Sequence, residues 1–358
     1  MTDIRLFAAS NSSRGFRSYF SECFGAGSGV ERLYIIKGGP GTGKSYFMRT
    51  VARYAASRGY RVTEYYCSSD PTSLDGIRLD PPHGSTEPCV ALVDGTPPHV
   101  CEPTFAGVRE ELINLGQFWN GERLRSAAAD IRALSAGKSQ AYTMAYAHLR
   151  AAGEMDAVSD GLTDGCVDSK RLRSLASRLL RGLPEGDGFA VTPALCSAIG
   201  MTGEVRFDTY ERLASKGELV RISDYYGLGY RLTRELMSLT KEKGQRAWVA
   251  YHPVLADKIE ALYYPATGLC IVLGDETDDD SRCRSVTLRR YADAEALRRV
   301  RGEIRHARHL YCEMLDGALR CFGRVAEQHF ALEKIYSASM NFGEQSAYCA
   351  NFCKTVFG

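Results

Sequence analysis

Apolar residues fall in short dense runs, separated by glycine-rich turns and by longer stretches where they recur every three or four positions. RLYIIK at residues 32–37 is apolar and partly β-branched. The segment YFMRTVARYAASRG that follows from Tyr46 carries Phe47, Met48, Val51 and Ala55 at helical spacing, so a buried strand leading into an amphipathic helix is predicted. YRVTEYYC (60–67) and CVALV (89–93) read as further strands. Strands and helices alternate in both halves, which predicts an α/β fold of parallel sheets covered on both faces. Each half then adds a mostly helical segment, near residues 102–150 and 294–336.

The two halves repeat one another. LYIIKGGPGTGKSYFM (33–48) aligns with LVRISDYYGLGYRLTR (219–234), bringing Gly41 and Gly43 onto Gly227 and Gly229. YYCSSDPTSLDGI from Tyr65 aligns with YHPVLADKI from Tyr251, setting Pro71 and Asp75 against Pro253 and Asp257. CVALVDGT aligns with CIVLGDET, setting Asp94 and Thr96 against Asp275 and Thr277. FWNGERLRSAAADIR aligns with RYADAEALRRVRGEIR. Matches in unbroken order signify a tandem duplication. The expected division is a first domain at 1–152, a linker at 153–187 and a second domain at 188–358. That linker mixes a Gly- and Asp-rich stretch, the short helix SKRLRSLASRLLRGL and then PEGDG.

Between the first strand and its helix lies GGPGTGKS, which has the fixed positions of the phosphate-binding pattern: Gly38, Gly43, Lys44 and Ser45. Glycines let backbone N–H groups turn inward around phosphates, and the opening helix adds its own free N–H groups and dipole. Gly38, Gly39, Pro40, Gly41, Thr42, Gly43, Lys44, Ser45 and Tyr46 are thus the expected nucleotide-binding residues. Lys44 would reach the β and γ phosphates, and Ser45 would coordinate Mg²⁺. Asp94, ending a buried strand, is the second expected Mg²⁺ residue. Asp70 and Asp75 follow a strand. Either can orient water or accept a hydroxyl proton, or else Ser69, Asp70 and Pro71 simply make a turn and cap. In the second half Asp224, Tyr230 and Arg231 replace Gly38, Lys44 and Ser45. An acid where phosphate oxygens belong makes this a pseudo-site, expected either to give structural support or to present Arg231 or Arg234 to the first site as an arginine finger. His99 and Arg14 are further candidates for approaching the nucleotide, and Phe118 and Trp119 for anchoring the helical segment to the core.

With 358 residues, 44% hydrophobic and 25% charged, the chain has the composition of an ordinary globular protein of about two domains. A net charge of +2 provides no global field toward nucleic acid or an anionic membrane, and neither partner is expected. The arginines of 289–308 are interleaved with acids at helical spacing and read as a solvated helix face. The N-terminal MTDIRLFAASNSSRG lacks the apolar core of a secretory leader, and no run approaches the roughly 20 apolar residues of a membrane span. A cytoplasmic protein is expected, its twelve scattered cysteines being free thiols. Cys349 and Cys353, with His306 and His309, lack structural-zinc spacing.

FAASNSSRGF, GGPGTGKS, YYCSSDPTSLDGI, ALVDGTPPHV, INLGQFWN and ALEKIYSASMNF together resemble a family of bacterial tandem P-loop ATPases, in order and over most of the chain. The resemblance implies a duplicated P-loop NTPase fold with ATP at residues 38–45 and Asp94 as the strand-end acid. The degenerate second loop departs from that pattern. Mg²⁺-dependent ATP hydrolysis is the expected function, with Lys44 and Asp94 or Asp70 as catalytic residues and the second half regulatory. The alternatives are a kinase acting on a small-molecule acceptor or nucleotide, and a nucleotide sensor serving a protein partner.

Overall fold

Two six-stranded sheets, one from each half, carry the fold in the computed structural model, which describes residues 4–214, 217–274 and 283–358. The first contains β1 (Ile4–Phe7), β4 (Arg32–Lys37), β5 (Arg61–Tyr66), β6 (Leu74–Asp80), β7 (Val90–Asp94) and β8 (Glu110–Asn114), in the order β1-β5-β6-β7-β4-β8. The second repeats it strand for strand. There β9 (Ala190–Pro193), β12 (Leu219–Ser223), β13 (Arg246–Tyr251), β14 (Ile259–Tyr264), β15 (Leu269–Leu273) and β16 (Cys283–Thr287) lie as β9-β13-β14-β15-β12-β16. A hairpin follows the first strand of each unit: β2 (Ala9–Ser12) with β3 (Gly15–Ser18), and β10 (Ser197–Gly200) with β11 (Gly203–Arg206).

The sheets are mixed rather than wholly parallel. β6 and β14 run antiparallel to both neighbours, because the short 67–73 and 252–258 connections permit only a hairpin-like return. Register also corrects the expected residue pairings of the strand ends and loops. Ile36 pairs with Asp94 in β4–β7, and Ile222 pairs with Leu273 in β12–β15. The next glycine in each unit donates to that isoleucine: Gly95 N–H to Ile36 O at 2.9 Å and Gly274 N–H to Ile222 O at 3.1 Å. Asp94 is therefore level with Leu273, not with Asp275; Asp275 and Thr277 lie outside the described residues.

Likewise a bulge falls at Tyr66 and at Tyr251, with Leu74 and Ile259 as their partners. Asp75 thus corresponds to Glu260, while Asp257 and Pro253 fall on Thr72 and Ser68. Single Pro and Asp matches in a loop carry less information than a hydrogen-bonded ladder.

Helix α2 (Lys44–Ser57) packs Phe47, Met48 and Val51 on one face of the first sheet, and α7 (Leu228–Glu242) does the same for the second with Leu228, Leu232 and Leu236. Residues 153–187 are not a linker. Residues 153–163 continue the long helix α4 (Ala128–Thr163). Helix α5 (Ser169–Leu179) then buries Leu172, Leu175, Ala176 and Leu179 in the second unit's core. Conversely α8 (Ala294–Ser337) leads to α9 (Phe342–Phe357), whose Cys349, Cys353 and Phe357 enter the core of the first unit beside Phe47 and Val51. The expected 188–358 domain therefore contributes its last helix to the other one.

The long helices lie antiparallel, so close at Gly317 that a Cβ there would come within 2.5 Å of the His148 ring. Matching corners join their ends. Asn120 N–H donates to Ser339 O (2.7 Å) and Asn341 N–H to Phe118 O (2.8 Å); at the other end Asp168 N–H donates to Tyr291 O (3.1 Å) and Asp293 N–H to Cys166 O (2.9 Å). The side chains of Asn341, Asp168 and Asp293 cap α9, α5 and α8, and that of Asn120 caps the short helix α3 (Gly121–Ser126).

The units also meet directly. Phe7 stacks on Phe207 at 4.7 Å. Each hairpin tip donates to the other unit's loop, Ser13 N–H to Val254 O (2.9 Å) and Met201 N–H to Ser69 O (2.8 Å). Among the described residues no helix is long and apolar enough to cross a membrane, and the twelve cysteines are free.

Deleting residues 342–358 removes α9 and bares the Phe47 and Val51 face. Increased binding of a hydrophobic dye and a lowered unfolding midpoint are expected; a truncated chain that melts like the full one would contradict this packing. A second test uses pH. His252 Nδ1 accepts the N–H groups of Val254 and Leu255, both at 3.1 Å. Burial, and then the Lys258 ammonium, push the imidazole down from 6.5 to about 4. Its stabilisation is complete above the unfolded value and is lost as pH falls from about 6.5 through about 4. Denaturant melts across that interval should show a loss that His252→Asn attenuates.

Candidate functional site

Strand β4 ends at Lys37 and helix α2 begins at Lys44, so residues 38–43 must reverse the chain within six positions. Gly41 and Gly43 do this with φ of +68° and +77°, a region that L side chains avoid. A Cβ on Gly38 would come within 2.6 Å of the Thr42 hydroxyl. The Lys44 ammonium donates to Gly38 O (2.9 Å) and Gly39 O (2.8 Å), and the Thr42 hydroxyl to Gly39 O (2.8 Å). The resulting cradle ends at the first turn of α2, whose free N–H groups favour an anion.

Asp94 closes the site from β7. Its Oδ2 lies 3.4 Å from the Lys44 ammonium, and its Oδ1 accepts the Thr96 hydroxyl (2.6 Å) and N–H (2.9 Å). Burial pushes the Asp94 carboxyl up from its ordinary range, against the pull of Lys44. A nearby cation would reverse that shift. The Ser45 hydroxyl accepts the Leu74 N–H at 3.0 Å, tying the start of α2 to the start of β6.

The two acids after β5 differ. Asp70 makes a turn, its Oδ1 accepting the Thr72 hydroxyl (2.7 Å) and N–H (3.1 Å). Asp75 is paired with a histidine instead, its Oδ2 2.8 Å from His99 Nε2 and both side chains buried. Burial alone would depress His99, but the Asp75 carboxylate overrides it and the imidazole stays above its ordinary value.

Arg14 is held instead by Asp257 of the second unit. Arg231 is spent on the end of α4, where it meets Asp164 Oδ1 (2.6 Å), Asp160 O (2.8 Å) and the Thr163 hydroxyl (3.0 Å), which leaves it no role as a finger at the first loop. Arg234 is exposed on α7. Phe118 and Trp119 anchor the α8–α9 corner, 5.6 Å from Tyr348 and 6.1 Å from Tyr336. Cys349 and Cys353 are buried on α2 while His309 pairs with Glu313 in solvent, so the two pairs are not brought together.

Four residues near the loop, Glu333, Tyr336, Gln345 and Lys138, were not foreseen from the sequence, because they come from segments distant along the chain. A Cβ on Gly41 would strike the Glu333 backbone at 2.5 Å, and one on Gly39 would meet the Tyr336 ring at 3.0 Å. Gln345 Nε2 donates to Thr42 O at 3.0 Å. The His329 imidazole holds the Glu333 carboxyl below its ordinary range; burial opposes this, while the Gly41 N–H and the Lys44 ammonium assist. Lys138 of α4 is pushed down by burial and then by Lys44.

The corresponding loop of the second unit is filled from within. Asp224, at the position of Gly38, accepts the N–H of Gly229 at 2.6 Å through Oδ1 and that of Gly227 at 2.9 Å through Oδ2. Tyr230, at the position of Lys44, lies under the Lys258 ammonium at 4.9 Å. Comparison of the chain with family models, curated proteins and solved structures finds no match.

Asp224→Ala should leave both N–H groups without their acceptor and destabilise the second unit by about 1–3 kcal/mol. Chemical denaturation checks this; a loss within error would show that the carboxylate is not what satisfies the loop.

Proposed function

We propose that the chain binds Mg²⁺-ATP at Gly38, Gly39, Gly41, Gly43, Lys44 and Ser45 and hydrolyses it, as a P-loop NTPase with one working site and one pseudo-site. The observation that carries this reading is the Asp224 carboxylate on the amides of the second loop. A loop of this design takes an anion, and in the first unit the residue that would supply one from within is Gly38. Among the described residues Lys44 is bonded only to loop carbonyls and Asp94, partners that a polyphosphate tail outcompetes in charge. The resemblance to tandem P-loop ATPases points the same way.

In this reading the loop amides and Lys44 bind the β and γ phosphates and stabilise charge on the transferring group. The Ser45 hydroxyl and Asp94 hold the magnesium shell, and the metal neutralises phosphate charge when bound. Lys138, whose neighbouring acid is Glu333, gains a further negative partner in the nucleotide. Asp94 is the acid nearest Lys44 and the candidate for orienting water. Glu333 packs against Gly41 and carries its negative charge toward Lys44, where the phosphates would lie, so nucleotide binding and the seating of the α8–α9 corner are coupled.

Calorimetry and a turnover assay on the full chain test the proposal. Heat on adding Mg²⁺-ATP is expected, with turnover falling more than about 100-fold in Lys44→Ala. ATP consumption only with an acceptor would make the protein a phosphotransferase, tight binding without turnover a sensor, and no heat with any triphosphate would overturn the reading. Glu333→Gln should tighten ATP about tenfold, equivalent to about 1.4 kcal/mol, by removing the competing charge. An unchanged or weaker affinity would exclude that competition.

A further inference from the structure

We propose that Cys67, Asp75 and His99 together bind a divalent transition-metal ion, zinc by their donor chemistry, at a site beside the glycine loop and distinct from its magnesium. Cys67 directly follows β5, Asp75 is the second residue of β6, and His99 lies in the loop after β7, so three adjacent strands deliver them to one region. One donor atom from each lies within 4.8 Å of the others. Among the described residues no other three metal-type side chains converge in this way.

Zinc bonds of about 2.0–2.3 Å in tetrahedral geometry need donors somewhat closer than this, a closure that side-chain rotation supplies. Thiolate, imidazole and carboxylate form a borderline-soft set that suits zinc and not magnesium or calcium, which take oxygen. Three protein ligands leave a fourth position for water.

The donors are held ready. The His99 ring is stacked on Phe20 at 4.6 Å and edged by Phe16 at 5.1 Å. Its Nε2, 2.8 Å from Asp75 Oδ2, is the nitrogen that faces the cluster, and its Nδ1 is buried with no hydrogen-bond partner among the described residues. Burial and then the Asp75 carboxylate push the Cys67 thiol well above its ordinary value, so its proton is one that the metal must displace on binding.

The second unit supplies a control. His252 and Glu260 stand at the positions of Cys67 and Asp75, and both are consumed internally. His252 Nδ1 accepts two backbone N–H groups, and Glu260 accepts the Ser197 hydroxyl and, at 3.2 Å, the Cys196 thiol. As at the glycine loops, the first unit leaves free what the second has satisfied for itself.

The test is to strip the full chain with a chelator and titrate it with cobalt, then zinc. One cobalt ion per chain is expected, with a sulfur-to-cobalt charge-transfer band that zinc abolishes. Cys67→Ser should lose the band, and His99→Ala should weaken zinc more than about 100-fold, beyond the cost of losing an outer-sphere partner. Cys349→Ser and Lys44→Ala should keep both band and stoichiometry. Retention in Lys44→Ala separates this site from the nucleotide reading, so either can fail alone. Absence of saturable cobalt binding by the wild-type chain, or a band that survives in Cys67→Ser, overturns the proposal. Should a variant misfold by circular dichroism, zinc protection of Cys67 against alkylation in the wild-type chain decides: protection supports the site, and unchanged labelling overturns it.

Discussion

Neither sheet supplies all of the helices that cover it. Each receives one across the molecule: α5 arrives at the end of the first unit's long helix, and α9 at the end of the second's. Three leucines of α5, at about 1.5–3 kcal/mol each on burial, contribute on the scale of a domain's whole net stability. Neither half can therefore be regarded as self-sufficient, and the antiparallel α4–α8 pair acts as a covalent brace. The same constraint brings Glu333, Tyr336 and Gln345 to the glycine loop, because α9 cannot dock on α2 unless the preceding corner passes over residues 39–43.

That arrangement makes the loop's electrostatics a joint property of both halves. Lys44 and Asp94 form a buried pair whose desolvation roughly offsets its attraction, so its presence is weak evidence of a purely stabilising role. Asp94 is held above its ordinary range by burial, and Glu333 below its own by His329, the Gly41 N–H and Lys44. Two carboxyl groups pulled in opposite directions flank one ammonium, and a change at any of the three shifts the other two.

Much of this architecture was legible in the sequence, for physical reasons that can be named. The strand, loop and helix around Gly41 and Gly43 could be read because positive φ and helical periodicity each leave a strong local mark. The duplication could be read because whole segments recur in order. The register of β7 against β15 could not, since CVALVDGT and CIVLGDET align well by letter yet are offset by two residues in the ladders. The antiparallel course of β6 and β14 was also hidden, as strand direction leaves no signature in a short apolar run.

Residues 153–187 misled because glycine and aspartate are common in linkers, whereas Leu172, Leu175 and Leu179 already had the spacing of a buried helix face. Within the candidate site, Glu333, Gln345 and Lys138 left no local signal at all. Their relevance comes from the crossing of the long helices.

Asp224 has a consequence of its own. A carboxylate fixed to the loop it occupies is an intramolecular ligand, present at an effective concentration that no dissolved anion in the millimolar range readily displaces. The second unit thus carries its counter-ion in its covalent structure and is constitutively complete. In the first unit Gly38 stands where that carboxylate would be, and the acid that approaches the loop is Glu333, on a helix that belongs to its twin. Within one chain, two copies of a single design have come to differ in where the loop's counter-charge resides.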